Sequence, residues 1–182
     1  GLTHHLTGDP DCARMFREVL FYYESLVQDR HDGQWGFEHM LFIYAWTWRL
    51  FYVWDLIEES DAFSDEDRLR MTSLLWGLTN HVAGLPYFRG VEPGKEVAGS
   101  AILRWQPEIR QNHATFAALS MSFSAGYFGT YYGLDGFEEQ LAVCKAVFDG
   151  QADCYKPNDD GGGGGYCWLV PNHLMDYDFR SG

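Results

Sequence analysis

One stretch of the chain constrains the fold more than any other. Residues 36–60, GFEHMLFIYAWTWRLFYVWDLIEES, would place apolar side chains around most of the circumference of a helix. Such a helix is buried on nearly all sides, because a surface helix keeps one polar face. Arg49 and Asp55 interrupt the run before it reaches the roughly 20 uncharged residues of a membrane span. The pattern therefore predicts an inner helix of a double-layered helical array.

Helical periodicity also dominates the remaining chain, and runs that alternate in the manner of strands are nearly absent. Ser64, with Asp67 three residues later, has the spacing of a capping box at a helix start. Pro10 lies in the first turn of another helix, with Asp9 or Asp11 as its cap. We expect six helices in three consecutive pairs, with inner and outer members alternating. Besides the inner helix at 36–60, they lie at about 11–28, 64–84, 112–130 and 135–149 and around Pro171.

The composition is that of one globular domain spanning residues 1–182. Apolar residues make up 46% of the chain and charged residues 21%, which excludes a disordered chain. Irregular loops are predicted at about 84–110 and 155–165, where glycines and prolines cluster. The fold class is therefore all-α, with consecutive helical hairpins forming part of an incomplete (α/α) toroid. Three pairs amount to about half of a closed ring, so we expect the chain to be part of a larger toroid.

Charge and aromatic content narrow the kind of ligand. The formal net charge of −13 argues against nucleic acid, because phosphate binding depends on clustered Lys and Arg. No membrane partner, cofactor or metal site is expected. Aromatic residues form 17% of the chain. Their flat rings can stack on a carbohydrate, or they can pack as the core of a wide helical array.

A histidine lies where an irregular segment meets a helical pattern. The stretch EIRQNHATF, residues 108–116, places Gln111, Asn112 and His113 directly before a long apolar run. Two interpretations are open. Asn112 can cap the helix beside a hydrogen-bonded His113, or the pair can carry chemistry. In a first helical turn the dipole disfavours imidazolium, so His113 would remain neutral and able to accept a proton.

Three segments resemble α/α-toroid carbohydrate enzymes. GLTHHLTGDPDCARMFREVL, at residues 1–20, looks like a hairpin join of these enzymes. WRLFYVWDLIEESDAFSDEDRLRM, at residues 48–71, resembles their pair of a Trp-rich inner helix and an outer helix joined by an FSxEDR turn. RQNHATF, at residues 110–116, is similar to the Asn-His motif of toroidal polysaccharide lyases. That group contains the alginate lyases and heparinase II/III-type enzymes, and the resemblance covers most of the chain.

The resemblance implies β-elimination at a uronic acid. In these lyases an Asn binds the sugar carboxylate, and a His and a later Tyr act in the removal of the C5 proton and the protonation of O4. Asn112 and His113 match the first two residues. Tyr177 is the better candidate for the tyrosine and Tyr166 the second, in a segment whose five-glycine run departs from the family pattern.

Other side chains are candidates for binding the substrate. Polar residues near the Asn-His pair could help to neutralise the carboxylate, and aromatic residues of the inner helix could line a sugar groove or belong to the core. His173 precedes Tyr177 by one helical turn and could orient it or form a structural hydrogen bond. The candidates are Gln111, Arg110, Arg104, Trp46, Trp48, Arg49 and His173, with Tyr52 on the same inner helix.

The expected partner is an acidic polysaccharide or oligosaccharide, and the resemblance implies a secreted or periplasmic protein. Two alternative functions remain open. A glycoside hydrolase on the same toroid would need two carboxylic acids facing one bond. The chain offers Asp55, Glu38, Asp159 and Asp160, and no spacing singles out a pair. The other alternative is a glycan-binding helical domain without catalytic activity.

Overall fold

The structure is a computed structural model that describes residues 1–28, 37–83, 112–152 and 169–181. Within these ranges every regular element is a helix, which confirms the all-α class. The helices are α1 (Leu2–Thr7), α2 (Pro10–Gln28), α3 (Phe37–Ile57), α4 (Asp65–Ala83), α5 (Asn112–Tyr132), α6 (Glu138–Ala152) and α7 (Leu169–Ser181). Six of them are the predicted helices, and α1 is additional. The predicted loops at 84–110 and 155–165 lie outside the described residues.

Local capping signals set the starts of two helices. Asp9 caps α2, since its Oδ1 accepts a hydrogen bond from the backbone N–H of Asp11 at 2.9 Å, and α2 begins at Pro10, where a missing N–H costs nothing. At α4 the backbone N–H of Asp67 donates to Ser64 Oγ, and that of Ser64 donates to Asp67 Oδ2, both at 3.1 Å. This reciprocal pair is the predicted capping box, with Asp in place of Glu.

Helices α3, α5 and α7 form one layer and run in the same direction. In the middle of α3, the backbone N–H of Trp48 donates to Ser120 Oγ of α5 at 3.3 Å. Just beyond the end of α3, Glu58 accepts a hydrogen bond from Tyr127, which lies later in α5. Helix α7 runs parallel to α5. His173, near the start of α7, is hydrogen-bonded to Thr115, and Arg180, near the end of α7, lies at Gly126, later in α5. We call these three helices the inner layer.

Helices α2, α4 and α6 pack on the other side as an outer layer. Helix α2 is joined to α4 by two ion pairs, Arg17 to Asp67 at 3.1 Å and Arg70 to Glu24 at 2.7 Å. Helix α4 packs against α3 and α5, while α6 packs against α5 and α7. Inner and outer helices therefore alternate along the chain, as the sequence predicts.

Helix α5 is the centre of the packing and contacts α3, α4, α6 and α7. Small buried residues, among them Ala117, Ala118 and Ser120, let its neighbours approach closely. The hydroxyl of buried Ser124 donates to the Ser120 carbonyl of its own helix at 2.8 Å, so its burial leaves no unpaired donor. The inner layer is thus held together by a helix that is buried on most sides.

Candidate functional site

Two adjoining cavities, of about 340 and 440 Å³, lie along the inner layer. All of their lining residues belong to α1, α3, α5 and α7. The two cavities share Tyr52, Phe123 and Phe179 as a common wall. We call them together the inner groove, and its combined size suits a small ligand or several units of a linear one.

The shared wall of the inner groove is aromatic and partly open to solvent. Phe179 is 81% exposed and Tyr52 39% exposed, whereas Phe123 is buried behind them. Tyr52 and Phe123 meet edge to face with their ring centroids 6.5 Å apart, and Trp48 packs on Phe123 at 5.6 Å. Exposed rings on a packed aromatic support are the surface on which a sugar ring stacks.

The larger cavity of the groove carries Arg49 and Asp176. The Arg49 guanidinium lies 5.0 Å from the centroid of the Trp48 ring, within range of a cation–π interaction. Burial raises the pKa of the Asp176 carboxyl, and the positive charge of Arg49 partly offsets that rise. This cavity therefore presents a cation that is held beside an aromatic side chain and one carboxyl group.

The smaller cavity carries Asp55, Tyr131 and Arg180. The Asp55 carboxylate near the Tyr131 hydroxyl raises the pKa of Tyr131, while nearby Arg180 acts in the opposite direction. Next to this group, Tyr127 donates to Glu58, and burial raises the pKa values of both side chains. The smaller cavity thus combines a carboxylate, a phenol and a guanidinium.

Asn112 and His113 are the first two residues of α5. Their side chains lie outside the described part of the structure, as does the side chain of Trp46, although its backbone belongs to α3. Thr115, in the same turn of α5, contacts the start of α7: its Oγ1 lies 2.8 Å from Nδ1 of His173. The first turn of α5 is therefore next to the start of α7. Gln111, Arg110, Arg104 and Tyr166 lie outside the described residues.

His173 and Tyr177 face different neighbours. His173 is buried, is hydrogen-bonded to Thr115 and packs against Phe116, with the ring centroids 4.1 Å apart and the rings tilted at 58°. Burial, assisted by the charge of Arg49, lowers the pKa of His173 to about 4, so its ring is neutral at pH 7. These contacts fit the structural hydrogen bond of the two predicted roles. Tyr177 stacks on Phe148 of α6 at 4.1 Å and lines a third cavity between α5, α6 and α7.

The structure brings together part of the predicted site and adds residues to it. Trp48, Arg49 and Tyr52 line the inner groove. Tyr131 and Arg180 were missed by sequence reasoning, because their partners depend on how α3, α5 and α7 pack. The only sequence signal for Arg180 is Gly126, a glycine inside an apolar helix.

Comparison with protein-family models, with curated proteins and with solved structures finds no match to this chain. Among the described residues, no group of three or more His, Cys, Asp or Glu side chains is placed to hold a metal ion. None of the helices in the described ranges is long and apolar enough to cross a membrane.

Proposed function

We propose that the protein binds an acidic polysaccharide along the inner groove and cleaves it by β-elimination. The observation that carries this proposal is the wall of Tyr52, Phe123 and Phe179, which has an arginine in each of the two cavities beside it. Aromatic rings suit the faces of sugar rings, and guanidinium groups suit their carboxylates. Consecutive helical pairs with a parallel inner layer are also the units from which an (α/α) toroid is built, and we propose that these helices form part of one.

In this proposal the start of α5 supplies the reacting groups. Removing the C5 proton of a uronate adds negative charge next to a carboxylate, so that carboxylate must first be neutralised. Asn112 would donate to it, and in many enzymes preorganised donors aimed at developing charge contribute more to the rate than any other effect. His113 would act as the base, since a ring in the first turn of a helix is kept neutral by the dipole.

Arg49 is the cation of the groove best placed to assist this reaction. It acts electrostatically on His173, which is hydrogen-bonded to Thr115 in the first turn of α5. Trp48, next to Arg49, is hydrogen-bonded to Ser120, whereas Arg180 lies at Gly126, so Arg49 is the groove arginine nearer to the start of α5. Tyr177 or Tyr166 would transfer the remaining proton to O4. Because the substrate is a polymer outside the cell, this activity would place the protein in a secreted or periplasmic location.

The proposal is tested by incubating the protein with alginate, glucuronan and heparin-type polymers and following the ultraviolet absorbance of the unsaturated product. We expect His113→Ala and Asn112→Ala to lower the rate at least about 100-fold, as losses of acid–base and electrostatic groups do. Matched controls are His5→Ala and Asn80→Ala, since both of these side chains are exposed on other helices. Far-UV circular dichroism checks that the helices are retained. Wild-type rates in either site variant would contradict the assignment.

One observation favours a glycoside hydrolase as a second candidate. Asp55 lines the groove, and Glu58 lies one turn further along the chain with a raised pKa, as a general acid requires. Hydrolysis would release reducing ends without ultraviolet absorbance. It would also depend on Asp55 and Glu58 rather than on His113. The same incubations therefore separate the two reactions.

A further inference from the structure

The guanidinium of Arg180 reaches across α5 at Gly126. A Cβ atom added at Gly126 would overlap this guanidinium, so Gly126 leaves the space that Arg180 occupies. The side chain of Arg180 is exposed, lines the smaller cavity and acts electrostatically on Tyr131. Helix α7 thus places the Arg180 cation in the inner groove. Its guanidinium fits there because Gly126 has no side chain.

Arg180 differs from the arginines of α2 and α4. Arg14, Arg17, Arg68 and Arg70 each lie within 4.0 Å of a carboxylate. Within the described part of the chain, Arg180 forms neither an ion pair nor a hydrogen bond. A guanidinium has five N–H donors in a planar fork that matches a carboxylate. Those of Arg180 are available to a ligand.

The same cavity contains a carboxylate that is suited to hydroxyl groups. Asp55 lines this cavity together with Tyr131 and Arg180, and a carboxylate has about four lone-pair sites that can accept hydrogen bonds from sugar hydroxyls. A ligand that satisfies both charged groups needs an anionic group for Arg180 and hydroxyl donors for Asp55. A uronic acid has both, whereas a neutral sugar lacks the anionic group.

We propose that Arg180 and Asp55 form a uronate-binding subsite at the Tyr131 end of the inner groove. This rests on the proposed binding of an acidic glycan, and it adds the residues that select the carboxylate. Gly126 lies 13 positions after His113 on the same helix, about 20 Å along its axis at 1.5 Å per residue. The subsite is therefore remote from the bond being cleaved and holds another part of the same polymer.

The test is calorimetric titration with a uronate hexamer and with the same hexamer after its carboxyl groups have been reduced to alcohols. All variants carry His113→Ala, so that turnover does not consume the ligand. We expect Arg180→Gln to weaken binding of the uronate hexamer about tenfold, the effect of losing one charge-assisted contact. Binding of the reduced hexamer should not change. Gly126→Ala should act in the same direction, since it displaces the guanidinium without removing its charge.

Arg14→Gln is the matched control, because it removes the same charge from the exposed surface of α2. Unchanged affinity of Arg180→Gln for the uronate hexamer would overturn the subsite. Equal weakening for both hexamers would also overturn it, since that result indicates a structural role. Absence of unsaturated product from the protein with His113 intact, together with selective binding by the His113→Ala protein, would refute the lyase and leave the subsite standing. A parent protein that binds neither hexamer would overturn both the subsite and the proposed glycan binding.

Discussion

Two buried histidines of this protein join helices that are far apart in sequence. His4 is hydrogen-bonded through Nδ1 to the Asp9 carbonyl and through Nε2 to Ser60 Oγ, both at 2.8 Å. His173 joins α7 to Thr115 of α5. Burying a polar ring is costly unless it is hydrogen-bonded, and both rings meet that condition. A histidine in this protein is therefore not by itself a sign of catalysis. The catalytic role proposed for His113 rests on its position at the start of a helix.

The neutral state of His173 should make stability depend on pH. Its pKa in the folded protein is about 4, against 6.5 ordinarily, so the unfolded chain takes up a proton here more readily than the folded one. The contribution of the neutral His173 ring to stability is therefore complete above about pH 7. It is lost as the pH falls from 6.5 to 4, which lowers the free energy of unfolding by up to about 3 kcal/mol. His173→Asn keeps a hydrogen-bonding group near the position of Nδ1 and should lose less stability between pH 7.5 and 4.5 in urea titrations. Equal losses in both proteins would contradict the prediction.

At the scale of elements, helices with local signals are the ones that the sequence predicts well. The starts of α2 and α4 follow from side-chain caps within three residues of each helix. Helix α1 was missed, because six residues contain too few turns to show periodicity. Helix α6 begins at Glu138 rather than near 135, since Gly136 has a φ of 96° and stays outside the helix.

The capping box of α4 provides the test at this scale. Ser64→Ala removes the Oγ acceptor of the Asp67 N–H and should lower the free energy of unfolding by about 1 kcal/mol. Ser73→Ala is the matched control in the same helix, because its exposed hydroxyl bonds only a carbonyl within the helix. We expect the control to change stability by less than about 0.5 kcal/mol. Urea unfolding followed by circular dichroism measures both, and equal effects would show that the box does not stabilise α4.

At the scale of the whole molecule, the candidate site depends on packing between helices. Trp48, Arg49 and Tyr52 could be predicted as groove residues, since they lie within about one turn of one helix. The place of Arg180 could not, because it depends on α7 crossing α5 at Gly126. The alternation of inner and outer helices was predictable from hydrophobic pattern. The cavity formed between α3, α5 and α7 was not.

Helix α5 contacts four other helices. Truncating a buried side chain of α5 should therefore destabilise the whole molecule, which should still unfold in one transition. Leu119 is fully buried in α5, whereas Leu69 on α4 is 71% exposed. Leu119→Ala should cost about 2–5 kcal/mol in the free energy of unfolding through lost burial and a cavity. The same substitution at Leu69 should cost less than about 0.5 kcal/mol. Tryptophan fluorescence, to which four tryptophans of α3 and α4 contribute, and far-UV circular dichroism should give coincident urea transitions in both variants. A separate early transition in Leu119→Ala would instead show that part of the molecule unfolds independently of the rest.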